Sequence, residues 1–250
     1  MIFSLLLHIA PYLAISPILK FDLMETVKPT SKTKSNGSPV KRKPGRPTAD
    51  AEINIEHLCD VAVNVFAEKG YSGTTTTEIT KKAGVARSLI HYYFGNKEEL
   101  WKASIKRLAN EFVAEFEQSK KIHKDLDGIQ MIKVMVRQLV HFYSKYPAFP
   151  KIVAQEMDEH SERSEWIINN LIYPLFNLTG ELFKKQRKIG NIKRIDKEFQ
   201  PSILLGMASS FFSNPFLIKY LYSIDTHDEE VIERYADAVV EIFCHGFVTK

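Results

Sequence analysis

TTTEITKKAGVARSLIHYYFGNKEEL, residues 75–100, is the stretch whose reading decides the fold. Helical spacing puts Ile79 and Ala83 on one face of a first short helix, and the Gly84-Val85 pair closes that helix and supplies a turn. A second helix is predicted from about Ala86 to Tyr93, with Ile90 and Phe94 on its buried side and Arg87, Ser88, His91 and Tyr92 outward. Glycine suits the turn because the chain must leave a helix end with positive φ, which a Cβ penalises. The outward set offers a guanidinium, a small hydroxyl and aromatic or imidazole edges near the start of the helix. That is what a helix needs to read the major groove of duplex DNA. The spacing is therefore that of a helix-turn-helix.

On these residues the chain resembles the TetR/AcrR family of bacterial transcriptional regulators, closely over residues 53–101. Three pieces carry the resemblance in order: an amphipathic helix ending in AEKGY (Ala67 to Tyr71), the run TTTTEITKKAGVARSLIHYYF, and Asn96-Lys97-Glu98-Glu99-Leu100-Trp101 opening a long fourth helix. The candidate DNA-contacting residues are Arg46, Thr75, Thr77, Arg87, Ser88, Leu89, His91, Tyr92, Tyr93 and Lys97. For Lys97 the resemblance implies a phosphate contact at the head of a helix that links the DNA reader to a ligand domain. It also implies a ligand-responsive regulator, most often a repressor, acting in the cytoplasm as a homodimer on a palindromic DNA operator, with no cofactor, no membrane partner and no enzymatic activity; the effector's identity does not carry over, and a small apolar effector is read from the residues of the second region themselves. The sequence departs from the family pattern at Ala86, where Ser or Thr commonly caps the recognition helix, and at His91 and Tyr93, whose ring types look exchanged. Thr76 and Thr80 replace an apolar residue and an alanine, and both are small enough to pack.

Charge placement supports the same reading where bulk charge does not. The net charge is +4, but residues 28–46 hold seven Lys and Arg and no acid, which leaves −3 for the rest of the chain. Lys81, Lys82, Arg87 and Lys97 cluster around the predicted recognition helix, whereas Asp50, Glu52, Glu56, Asp60 and Glu68 lie on the helix before it. Residues 28–50 are too polar to bury themselves and read as a disordered arm. Within it, Lys41-Arg42-Lys43-Pro44-Gly45-Arg46-Pro47 resembles the Gly-Arg-Pro core of AT-hook peptides, which presents Arg to the narrow minor groove of A·T tracts; a plain basic linker is the alternative. The apolar stretch Ile2 to Leu23 lacks a basic start and is interrupted by Pro11 and Pro17. Translation from Met24, a membrane anchor or signal, and a packed extension are the three readings of it.

With 44% hydrophobic residues the chain can bury a substantial core. Beyond residue 118 no strand alternation persists, and helices are predicted over 98–120, 127–146, 148–158, 161–189, 197–223 and 227–247, with kinks at Pro174 and Pro215. The expected fold class is all-α. An N-terminal extension (1–50) precedes a three-helix DNA-binding domain with a helix-turn-helix (51–96), followed by a helical ligand-binding and dimerisation domain (97–250). Bulky apolar side chains with two polar candidates suggest an effector pocket from His141, Phe142, Phe149, Glu156, Met157, Trp166, Tyr173, Phe176, Met207 and Phe211. Leu205, Phe212, Leu217, Tyr235, Val239, Ile242 and Phe243 are the expected dimer interface, an intrachain core being the alternative. Cys59 and Cys244 read as small buried hydrophobes, with a redox pair as the minor reading. No metal-ligand spacing, phosphate loop or nucleophile elbow occurs, which argues against an enzyme. The other class still open is a membrane-tethered sensor using residues 1–23.

Overall fold

Five of the described helices start at a side-chain cap that the sequence places just ahead of an apolar stripe. The computed structural model describes residues 49–248 except 160, 194, 197 and 198. Arg46, the AT-hook-like segment and the apolar N-terminal stretch lie outside the described residues. The helices are α1 (Ala49–Gly73), α2 (Thr76–Ala83), α3 (Ser88–Tyr93), α4 (Lys97–Ile122), α5 (Gly128–Lys145), α6 (Ala148–Glu159), α7 (Glu162–Ile167), α8 (Tyr173–Lys188), α9 (Phe199–Ser213), α10 (Pro215–Tyr222) and α11 (Glu229–Phe247). Thr75, Asn96, Asp127, Ser161 and Asp228 each accept a backbone N–H at the start of α2, α4, α5, α7 and α11, satisfying donors that a helix end otherwise leaves unpaired. Among the described residues the only extended pairing is a single antiparallel bridge between Ile192 and Val248.

The two prolines act differently from the simple kinks predicted. Pro174 cannot donate a backbone N–H, and its ring crowds the preceding turn. The chain answers with a π-helical turn, Ile168–Ile172, in which the Tyr173 N–H donates to the carbonyl of Ile168. Pro215 is a break. The residue before a proline is pushed out of the helical region; Asn214 accordingly sits at φ −129, ψ 55, and α9 and α10 meet at 67°. The first helix also runs differently, starting at Ala49 rather than Ile53 and losing helical geometry at Gly70 (φ 70, ψ 171).

Helix α1 packs on α2, α4 and α6, while α5 is the axis of the second region, touching α4, α8, α9 and α11. Trp101, on the first turns of α4, is fully buried where the two regions meet, its ring 6.1 Å from Tyr71 and 5.7 Å from Trp166. Burying so large a side chain contributes about 2–3 kcal/mol, which fixes the head of α4 against both regions. No single helix among the described residues is long and apolar enough to cross a membrane, although the bent pair α9–α10 passes on length and composition alone.

Candidate nucleic-acid interface and ligand cavity

The reader is built from two short helices held by two isoleucines. Ile79 of α2 and Ile90 of α3 are fully buried, with Ala83 and Phe94 beside them. Gly84 takes the left-handed conformation (φ 66, ψ 27), its N–H and that of Val85 closing back on Lys81 and Thr80. Thr80 is buried, and its hydroxyl is satisfied by the carbonyls of Thr76 and Thr77, each at 3.1 Å. This locks α3 relative to α2 and leaves the other face of α3 in solvent: Arg87, Ser88, His91 and Tyr92 are exposed, Leu89 and Tyr93 half-buried. The recognition helix begins at Ser88, two residues later than predicted, and its cap position is Arg87, which makes no side-chain cap. The missing oxygen is therefore real, and the Leu89 and Ile90 N–H groups at the helix start donate instead to the carbonyls of Ala86 (3.0 Å) and Arg87 (3.3 Å).

Each remaining candidate is pinned by a named contact. Thr75 accepts from the Glu78 N–H at 3.2 Å, which leaves its hydroxyl proton available. Thr77 is exposed one position along α2 from Thr76. The Nδ1 of His91 lies 3.0 Å from the Gly95 carbonyl, so in the tautomer that donates there Nε2 is the atom turned to a partner. Tyr92 and Tyr93 meet edge to face at 4.8 Å. Lys97 sits with its Nζ 4.2 Å from the centre of the Tyr71 ring. Partial burial, and then the nearby Arg163 guanidinium, hold its ammonium below the ordinary lysine value.

Thirteen residues farther along α4, about 20 Å at the usual helical rise, the same helix walls a cavity of about 250 Å³. Ala109, Asn110, Phe112 and Val113 of α4 face Leu139, Phe142 and Tyr143 of α5, while α6 contributes Phe149, Pro150, Val153 and Ala154. The π turn supplies Asn170, Leu171 and Ile172, α8 supplies Pro174, Leu175 and Phe176, and α9 supplies Leu205, Gly206 and Ser209. The wide turn forced by Pro174 thus forms part of the wall. Among the described residues no acidic or basic side chain lines the cavity.

Between reader and cavity lies a polar junction. Glu156, buried in α6, accepts from the Arg163 Nε at 2.9 Å and from the Ser161 hydroxyl at 3.3 Å. The Arg163 guanidinium lies 4.1 Å from the centre of the same Tyr71 ring that holds Lys97. Gln155 donates to the Ala67 carbonyl at 3.2 Å, and Arg107 of α4 pairs with Asp60 of α1.

Two family models match this chain in succession, "Bacterial regulatory proteins, tetR family" over residues 58–103 and "Tetracyclin repressor-like, C-terminal domain" over residues 128–250. The chain belongs to the TetR family. It is accordingly a DNA-binding transcriptional regulator and not an enzyme. The biofilm operon negative regulator IcaR of Staphylococcus epidermidis is 21% identical over 170 residues, 66% of this chain and 86% of that protein. Among solved structures, FadR of Bacillus subtilis in complex with stearoyl-CoA has a TM-score of 0.59 at 19% identity, covering 76% of this chain and 97% of that one. FadR of Bacillus halodurans, a fatty acid degradation regulator, gives 0.57 at 20%, covering 74% and 97%. At these identities the two structures share the TetR fold with this chain.

The cavity gathers only three of the ten residues expected to line it, Phe142, Phe149 and Phe176. His141 points instead toward α11, its Nε2 3.3 Å from Glu233. Glu156 and Trp166 belong to the junction, Met157 packs on the core, and Tyr173 is 58% exposed. Met207 and Phe211 lie against α11: the Met207 carbonyl accepts from the Tyr235 hydroxyl, and Phe211 stacks on the Tyr235 ring at 4.5 Å. Sequence reasoning missed Asn110 and Tyr143, the signal for Tyr143 being a phenol one position after Phe142 on an otherwise apolar helix face. The expected dimer residues divide as well. Phe212, Val239 and Phe243 are buried within the chain, Tyr235 is tied to α9, and Leu205 lines the cavity; Leu217 and Ile242 remain 51% and 62% exposed. Cys59 is buried and Cys244 half-buried, and burial pushes both thiols up from their ordinary value, as suits unreactive packing residues.

Proposed function

We propose that this TetR-family regulator represses transcription as a homodimer on a palindromic operator and is released when a small apolar effector fills the cavity walled by α4 and α5. The observation that carries the reading is α4 itself: one unbroken helix has Lys97 at its head and Asn110 and Val113 in the cavity wall. A ligand that moves the cavity segment of α4 therefore also moves the end on which the reader rests, by rigid-body displacement. Release requires that the ligand bind the DNA-unfit state more tightly than the DNA-fit state.

Dimer formation is supported by α10, which has no buried residue and exposes Phe216, Leu217, Tyr220 and Leu221, and by the exposed Ile203 of α9 and Ile242 of α11. An apolar surface of that extent suits a second copy, and a two-fold pair of readers selects a two-fold operator. The test is footprinting of the full chain on the DNA upstream of its own coding region, over a salt series with nonspecific competitor. A protected palindrome that survives competitor is expected. Protection that is spread evenly along the DNA and vanishes with salt would overturn the specific-operator reading.

A further inference from the structure

The cavity's polar groups are not equivalent. Ser209 donates to the Leu205 carbonyl at 2.7 Å and Asn170 donates to the Trp166 carbonyl at 2.9 Å, so each already spends a donor on its own backbone. Tyr143 is 6% exposed and lines the cavity, and its hydroxyl has no hydrogen-bond partner among the described residues. Nor is that hydroxyl one of the polar atoms sealed into the packing, so it opens on free space. Asn110, half-buried on α4, lines the same cavity, and its amide has no protein partner among the described residues. Buried polar groups are nearly always satisfied, and one left open in a ligand-sized space points to a ligand atom. Burial drives the Tyr143 pKa well above the ordinary phenol value, so the group stays protonated and donates.

The rest of the wall restricts the ligand's charge. A carboxylate, phosphate or ammonium entering a cavity with no opposite charge would lose its hydration without compensation. Volume restricts its size: a 150 Å³ cavity holds one benzene ring, so about 250 Å³ accommodates roughly ten non-hydrogen atoms in proportion. An acyl-CoA of the kind bound to FadR of Bacillus subtilis exceeds the size limit, and among the described residues no cation lines the cavity to meet its phosphates.

We infer that the cavity takes an uncharged, mainly apolar molecule of about ten non-hydrogen atoms whose one hydroxyl or carbonyl is bound jointly by Tyr143 and Asn110. This rests on the effector reading above and adds the ligand's chemical class and its polar anchor. Because Asn110 stands on α4, the anchor ties the ligand head to the helix that carries Lys97.

The test uses the full chain and three probes of one shape, naphthalene, 1-naphthol and 1-naphthoate, with binding measured by calorimetry. One hydrogen bond gained from an otherwise unpaired donor should make 1-naphthol bind about tenfold more tightly than naphthalene, with 1-naphthoate weakest. Tyr143→Phe should erase most of that preference, and Asn110→Ala should reduce it. Because Tyr143→Phe removes an unsatisfied buried hydroxyl, its melting temperature should equal or exceed that of the wild type, which separates lost anchoring from lost folding. Equal binding of naphthalene and 1-naphthol, or a preference that survives Tyr143→Phe, would overturn the anchor and leave the cavity reading standing. Failure of all three probes to bind would overturn both.

Discussion

Replacing Arg163 by methionine probes the junction through which reader and ligand region are joined. In the wild type the Glu156 carboxylate, 4% exposed, is paired with an Arg163 side chain that is 19% exposed. Removing one partner of a buried ion pair costs about 3–5 kcal/mol, because the other charge is left without compensation. The Ser161 hydroxyl remains as an acceptor's partner for Glu156, and the partial exposure of Arg163 screens the pair, which lowers the figure to about 2–3 kcal/mol. Loss of the contact with the Tyr71 ring adds about 0.5–1 kcal/mol. The sum, about 3 kcal/mol, corresponds to a drop in melting temperature of roughly 6–12 °C for a chain of this size. Thermal and urea unfolding would be measured for Arg163→Met, Glu156→Leu and the double variant. The double variant should be more stable than the sum of the single losses predicts, with a coupling of about 2 kcal/mol, because it removes both charges together. A cost below about 0.5 kcal/mol for Arg163→Met, or strict additivity, would refute the reasoning.

At the reader, Arg87→Ala should lower discrimination among operator sequences, whereas Lys97→Ala should weaken binding to every duplex and reduce the slope of log affinity against log salt by about 0.9; an equal loss of specificity from both would contradict these roles, and titrations at several salt concentrations distinguish them. Gly84→Ala forces a Cβ into the left-handed turn between α2 and α3 and should cost about 1–2 kcal/mol in urea unfolding; a neutral effect would mean that the turn relaxes to another conformation. Glu111 of α4 binds Lys145 and the Tyr146 hydroxyl at the end of α5. Desolvation raises its pKa, but these hydrogen bonds and the Lys145 and Arg107 charges outweigh it and hold the carboxyl below its ordinary value. A depressed folded-state pKa contributes stability that is full above the unfolded glutamate value of about 4.3 and is lost as pH falls through the folded value. Glu111→Gln should therefore be about 1 kcal/mol less stable than wild type at pH 7, with the two converging below pH ~4; a gap independent of pH in thermal unfolding would rule this out.

What the sequence determined alone was whatever depends on neighbours along the chain. The helix start at Asn96 and the breaks at Asp127-Gly128 and Ser161 were legible because caps and turn residues act on backbone groups only a few residues away. The Gly84 turn and the burial of Ile79 and Ile90 follow from periodicity over a dozen residues, and the family resemblance rests on the same local run. Tertiary structure decided which of several apolar faces turns inward. Helix α11 carries apolar residues on two sides, and only its packing against α5 and α9 puts Val239 and Phe243 in the core and leaves Ile242 in solvent. The cavity is likewise a product of six helices and a π turn meeting. Its residues are drawn from between 109 and 209, and hydrophobicity cannot distinguish a side chain that fills a core from one that borders an empty space. For the same reason Glu156, read from sequence as a ligand anchor, is in the structure the buried partner of Arg163 on α7, and their pairing depends on how α6 and α7 pack together, which no local pattern encodes.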